Sequence, residues 1–547
     1  MRTHLTLTTV TTLFLLLMPL PSWCEGVREG NPLFEVRDFG AVGDGVVNDT
    51  GAIQSAVNAA NQAGGGTVWF PAGTYLSGTL LMKDQVTLHL VAGATLLGST
   101  DLNDYPMIVP SFRSYTDRYT RQSLLYGEDL ENIAIEGRGT IDGNGEADVF
   151  RKDTGADYDL PYGLRPYVLR FVCCRNVRVS GITLRDSAMW MQHYLACDDV
   201  TIDGIHVDNH VKPNNDMIDI DCCRNVRISN CTGDTDDDAL TLKSTADRIT
   251  ENVTIANCVL SSHCNAIKMG TESSGGFRNI AISNCAIRPS RHEDPISGRR
   301  PGLAGVALEI VDGGFLDRVT ITNLTIEGTI APIFMRLGNR ARKFKEEIQT
   351  PDVGAFRNVV VSNVMATGAS GMGCAIAGLP GHPIENVVLS NIRIAGAGGG
   401  ALEDVEREIP EEEKKYPECT MFGTLPAYGF YARHVKGLTL DNVEVAWEEP
   451  DLRPALLCDD VRDLHIDNLA GHSAESGSPT IVLNDVQGAM VQSCVAPAKA
   501  SGFLRMQGNT ADVTVIGNDL SQVPTPFEFG EAVAETILFQ TANRLAD

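Results

Sequence analysis

The sequence predicts an all-β protein wound as a parallel β-helix, and three observations carry that expectation. A short phrase returns along the chain: an alternating β-branched run, a polar corner, then a second alternating run, as in NVRVSGITL at 176, NVRISNCTG at 225 and NVTIANCVL at 252. Period-2 alternation argues strand, and Asn, Gly and Ser at the break argue turn. Successive copies commonly lie 23 to 28 residues apart with no helical interlude, the signature of a solenoid rather than a sandwich. Cysteines stand in register at Cys231, Cys258 and Cys285, each 27 residues after the last, so equal places on successive coils stack into an interior ladder of reduced, packing thiols.

The elements follow in chain order. Residues 1–24 read as a signal peptide: Arg2 gives a positive start, Leu13 to Met18 are unbroken apolar, and Ser22 and Cys24 flank a cut. The apolar core is too short to span a bilayer, and no later stretch approaches a span. The expectation is a secreted or periplasmic protein with one β-helix domain over 25–547. An N-terminal capping helix is expected at NDTGAIQSAVNAANQAGG, started at Asp49 or Thr50 and stopped by the glycines from Gly64. Such a cap protects the open edge of the first coil. Strand text resumes from 66 to 99, and the repeats run from Asn132 to the copy at 463. Insertions interrupt them at 100–128, 145–168, 288–304, 338–356 and 399–430, and long loops in compact domains are often lids.

The 547-residue chain carries a formal net charge of −26, which excludes nucleic acid as a partner for want of a basic footprint. Fourteen cysteines become thirteen once Cys24 leaves with the signal, so at least one stays unpaired within the chain. None has the C-x-x-C spacing of a zinc site, and no cofactor or metal is expected.

The segment NNDMIDIDCCRNVRISNCTGDTDDDALTLKS concentrates the chemistry. Asp236, Asp237 and Asp238 are consecutive, and Asp216 lies about one coil upstream, 21 residues before Asp237. Strict alternation turns neighbouring side chains to opposite faces, so one of Asp237 and Asp238 has to sit at a corner to share a site. Glycoside hydrolysis needs two carboxyl groups in different protonation states, and crowding raises at least one pKa. An Asp-rich turn is also the chemistry of a Ca²⁺ site or of a solvated corner, and Asp219 and Asp221 fit either.

FGAVGDGVVNDTGAIQSAV, FPAGTYLSGTL, GRGTIDGNG, the W-x-x-H of Trp190 and His193, NNDMIDID and DDDALTLKS occur in that order over roughly residues 34 to 400. Together they resemble the polygalacturonase family, glycoside hydrolase family 28, of the pectin-lyase-like superfamily. The resemblance implies a right-handed parallel β-helix and inverting hydrolysis. Asp237 then takes the place of the general acid, and Asp216 and Asp238 that of the pair holding water. Asn214 shapes the corner of the family's N-T-D triplet.

Two departures mark this chain. Asn265 stands where the family has the His of G-H-G, and His263, two residues earlier, is expected to share its strand face, so both are candidates to line the substrate cleft. Where the family has R-I-K, the basic grip on the sugar carboxylate, this chain reads GVALEI, with Ala307 and Glu309 at the basic positions. Lys268 and Arg336 are the expected replacements, with Arg299 and Arg300 as weaker ones, and Glu272 is a candidate for sugar hydroxyls. The substrate expected is a plant or algal polysaccharide or oligosaccharide of pectin type, cut from chain ends if the insertions wall off the cleft. A galacturonide comes first, with a neutral or rhamnose-bearing pectin side chain or another plant or algal glycan as its competitor. A monomer is expected. The alternatives are a polysaccharide lyase on the same fold and a non-catalytic glycan-binding protein.

Overall fold

The computed structural model describes residues 1, 32–150, 162–498, 500–531 and 533–546. The signal-peptide expectation therefore lies outside the described residues, as does the middle of the insertion at 145–168. Among the described residues, no helix is long and apolar enough to cross a membrane.

The chain winds as a right-handed parallel β-helix in which every strand-to-strand ladder is parallel. Leu33–Glu35 on Gly66–Phe70 opens the stack, and Ala511–Ile516 on Leu538–Thr541 closes it. The predicted helix, α1, spans Thr50–Gln62 and buries Ile53, Ala56, Val57 and Ala60 against the first coil. Its N-cap is Asp49, but that carboxylate accepts the N–H groups of Val42 and Gly43 at 2.7 and 3.0 Å instead of capping the helix. Gly64, at φ 87°, follows the end.

Both asparagines of the repeated phrase now have a physical reason. They adopt φ near +55°, a left-handed turn that Asn tolerates better than most residues. Their side-chain amides then bond from coil to coil. Asn257 donates to Asn230, Asn284 to Asn257, Asn323 to Asn284 and Asn363 to Asn323, at 3.0 to 3.4 Å. A second ladder joins Asn225, Asn252 and Asn279. Cys231, Cys258 and Cys285 stack inside as expected, each thiol donating to the backbone carbonyl two residues before it. The thirteen cysteines among the described residues are all free, and twelve of them are buried.

One strand stack carries the site: Tyr167–Val172, Gln192–Leu195, Ile218–Asp221, Leu240–Ser244, Asn265–Ser273, Gly302–Ile310 and Thr329–Leu337. Its outer face is polar to one side and alanine-rich to the other. Arg170, His193, Asp219, Thr241 and Lys268 form one register row, which continues through Ala307, Phe334 and Ala375. The small residues Ala304, Ala307, Ala331, Ala375 and Ala377 make a floor on which the insertion 399–430 packs through Ile409, Cys419, Met421, Phe422 and Leu425.

Candidate active site

Asp216 and Asp238 occupy equal places on adjacent coils, because Ile218 pairs with Leu240 and Met217 N–H bonds to Asp238 O at 3.0 Å. The coil here is 22 residues, so the register partner of Asp216 is Asp238 and not Asp237 as the 21-residue spacing suggested. Residues 236–239 form the corner between Thr232–Thr235 and Leu240–Ser244, which frees Asp237 from strand alternation and lets it share the site with its neighbour.

Asp237 and Asp238 differ in what donates to them. Asp238 Oδ1 accepts the backbone N–H and the side-chain amide of Asn265 at 3.0 and 2.8 Å, and its Oδ2 meets Lys268 Nζ at 3.0 Å. Among the described residues Asp237 accepts only the N–H of Asp238, at 3.0 Å, and burial together with the Asp238 charge pushes its carboxyl up to about 6. Asp216 is pushed well above the usual carboxylate range by burial, Asp219 and Asp237.

Two buried lysines neutralise this crowd. Lys243 lies 3.4 to 3.6 Å from Asp216, Asp219 and Glu272, with its ammonium 4.5 Å from the centre of the Trp190 ring. Lys268 lies 3.0 to 3.8 Å from Asp238, Glu309 and Glu418. Burial alone would lower both lysines, but the surrounding carboxylates outweigh it and hold them well above the ordinary lysine range. Glu272 is held far below the carboxylate range despite its burial, by Lys243, Arg342 and Arg340.

Four of the insertions supply the walls. The one at 100–128 brings Tyr115, which stacks under the Arg342 guanidinium at 4.0 Å, and Tyr119, whose hydroxyl donates to Glu272 at 2.9 Å. From 145–168 comes Tyr162, packed on Tyr119. The loop 338–356 contributes Arg342, bonded to Glu272 at 2.6 Å, and Glu346, which ties the two loops through Arg118 at 2.7 Å. The longest, 399–430, places Tyr416 and Glu418 over Lys268, and burial pushes Glu418 up to about 7.

The other residues singled out by sequence are placed as follows. Asn214, at φ 55°, accepts from Arg165 at 3.0 Å and shapes the corner. The next residue, Asn215, anchors Asp237: its side-chain oxygen accepts the N–H of Asp237 at 3.0 Å, while its amide donates to Asn209 O at 2.8 Å. Asn265 and Lys268 belong to the cluster, but their donors go to Asp238 and Glu418. His263 is engaged elsewhere, Nδ1 with Asp236 at 2.9 Å and Nε2 with the carbonyl of His292 at 3.0 Å. It occupies the turn before Asn265–Ser273, so the shared strand face expected for His263 and Asn265 does not exist. Arg336 donates to the carbonyls of Gly378 and Glu411 beneath the longest insertion, which leaves its guanidinium spent inside the protein. Lys243, Tyr416 and Glu418 were missed by sequence reasoning. The signal for Lys243 was its buried charge in DDDALTLKS; nothing in the text ties Tyr416 or Glu418 to a lysine some 150 residues away.

The outer wall of the β-helix thus carries a pair of adjacent carboxyls, one electrostatically loaded and one clamped by donors, the kind of inequality that acid/base chemistry on a glycosidic bond requires. The family description "Glycosyl hydrolases family 28" matches residues 67–411, and the chain belongs to that family. A probable polygalacturonase of Vitis vinifera is 29% identical over 368 residues, which cover 65% of this chain and 73% of that protein. The exopolygalacturonase structure from Thermotoga maritima superposes with a TM-score of 0.57 at 23% identity, over 67% of this chain and 87% of that one. The family 28 exopolygalacturonase of Yersinia enterocolitica gives 0.57 at 21% identity, over 84% and 78%.

Proposed function

We propose that this glycoside hydrolase, secreted or periplasmic, cleaves pectin-type polysaccharide or oligosaccharide from chain ends with inversion. Asp237 protonates the leaving oxygen, and Asp216 with Asp238 holds the attacking water, whose proton goes to Asp238 because burial and its neighbours favour the protonated form of Asp216. The observation that carries the reading is the unequal treatment of two adjacent carboxyls: Asp237 loaded up to about 6, Asp238 clamped by Lys268 and Asn265. Similarity to proteins named polygalacturonase and exopolygalacturonase supports the substrate class and the end-clipping mode. The loops tied together at Arg118–Glu346 and Arg342–Tyr115 support the latter as well.

Two features bear on the sugar. Ala307 and Glu309 stand where the resemblance calls for basic residues, and Ala307 is part of the floor under the insertion 399–430. Seven carboxyl groups, counting Asp237, surround the two lysines, so neither ammonium is free for a uronate. A neutral or rhamnose-bearing residue next to the cleaved bond is favoured by that balance. A lyase is disfavoured, since its base has to be uncharged and both lysines are held protonated.

Mass spectrometry of products from homogalacturonan and rhamnogalacturonan oligosaccharides, for the protein and its Asp237→Asn variant, tests the proposal. Saturated, hydrated products that disappear in the variant are expected. Unsaturated products, or hydrolysis undiminished by the substitution, would overturn it.

A further inference from the structure

On the corner adjoining the carboxylate cleft, three histidines and three aspartates collect where the insertion 288–304 folds back onto the coils. Asp208 lies on the strand His206–Asn209, and His210 follows it directly. Asp234 belongs to the neighbouring strand Thr232–Thr235 and Asp236 to the corner after it; His263 sits one coil further, and His292 comes from the insertion. Asp208, His210 and His292 present ligand atoms within 4.8 Å of one another, and so do His210, Asp236 and His263.

His210 is common to both sets. Its ring lies on that of His292 with centroids 3.7 Å apart and meets the ring of His263 at 5.2 Å. Its Nε2 is 3.0 Å from Asp234, but its Nδ1 is buried and has no hydrogen-bond partner among the described residues. The side chain is only 7% exposed. Leaving a buried ring nitrogen unpaired is costly, so its retention among ligating groups calls for a partner. Two imidazoles and a carboxylate form a borderline donor set, matched to divalent transition ions such as Zn²⁺ better than to Ca²⁺ or Mg²⁺.

We infer that this corner is a binding site for a divalent transition metal of the Zn²⁺ type, ligated by His210, His292 and Asp208, with Asp236 and His263 adjoining. The competing cation is Arg291, which takes Asp208 Oδ2 at 3.2 Å and Asp234 Oδ2 at 3.3 Å. Asp208 Oδ1 is left facing His292 Nε2 at 3.0 Å. Both of these side chains are about two-fifths exposed, 41% and 42%, so an ion enters between them by side-chain rotation without unfolding a coil. The ion staples the insertion to the solenoid. That matters to the site next door, because Asp236, the residue before Asp237, accepts the N–H groups of Ile296 and Ser297 in the same insertion at 2.6 and 2.7 Å.

The test is isothermal titration of the EDTA-treated full-length protein with ZnCl₂, together with thermal unfolding with and without zinc. One saturable zinc per chain is expected, with a raised Tm, and with affinity about tenfold or more weaker in His292→Ala and His210→Ala. His292 is part-exposed, so its variant decides the matter even if His210→Ala fails to fold. A second donor set, Asp237, Asp238 and Cys264, lies in the cleft itself, so Cys264→Ser serves as the control and is expected to bind zinc unchanged. No saturable binding, or binding that survives His292→Ala whatever Cys264→Ser does, would overturn the inference.

Discussion

Asp237 and Asp238 are joined by a peptide bond yet face different surroundings, and the division of labour proposed for them rests on who donates to each. The Asp237 carboxyl, loaded up to about 6, keeps its proton below that pH and gives it up above. The alkaline limb of kcat/KM is therefore expected to fall with an apparent pKa near 6, roughly tenfold per pH unit beyond it, and Asp237→Asn is expected to lose about 10²–10⁴-fold in kcat. A stability readout distinguishes loss of chemistry from loss of fold. The folded-state value lies above the 3.8 of an ordinary aspartate, so the group favours folding below 3.8 and that contribution is lost as pH rises through about 6. Asp237→Asn, which never ionises, is thus expected to unfold at a higher temperature than the parent at pH 8, with the gap closing toward pH 4. The aspartates were legible in the sequence because one coil brings them into line. Their pairing was off by one residue, since the corner at 236–239 absorbs a position that counting along the chain cannot see.

Strands and insertions divide the work differently. The strand stack supplies Lys243 and Lys268 from fixed register rows, whereas Tyr416, Glu418 and Arg342 arrive on loops. A lysine shared by three carboxylates is held by geometry that only the folded stack provides. Lys243→Met leaves Asp216 and Asp219 buried together without a counter-charge, a change expected to cost about 3–5 kcal/mol and read as a drop in urea midpoint at pH 7. The repeats made the strand stack predictable almost throughout, since alternation, the corner Asn and the cysteine ladder all report the same coil. The walls were not, because a loop's landing place depends on what it packs against. The alanines from Ala304 to Ala377 make sense only once the insertion 399–430 is laid over them. The misplacement of Arg336 has the same origin: a basic residue in apolar strand text is as well explained by carbonyls from an overlying loop as by substrate.

At the scale of the whole molecule, a net charge of −26 surrounds a cleft whose own cations are already paired. An anionic polysaccharide approaches against that field, and a neutral one does not. KM for a polyuronide is expected to fall as NaCl is raised from about 10 mM to about 150 mM, over which the screening length shrinks from about 30 Å to about 8 Å. KM for a neutral oligosaccharide is expected to stay level in the same titration.

The stacked thiols carry a consequence of their own. Coils pair with their immediate neighbours, some 27 residues along the chain at the cysteine ladder, so each turn of the stack is covered by the one that pairs with it, wherever winding begins. Each sulfhydryl is sheltered when the next turn closes over it and not before. For a chain wound in an oxidising compartment, the sequence of closure is also a timetable of protection. A molecule stalled half-wound would present two ladder thiols to each other and to any oxidant, and a cross-link made there would fix one turn out of register with the next. In such a compartment the buried stack shelters its thiols only once their turns have closed.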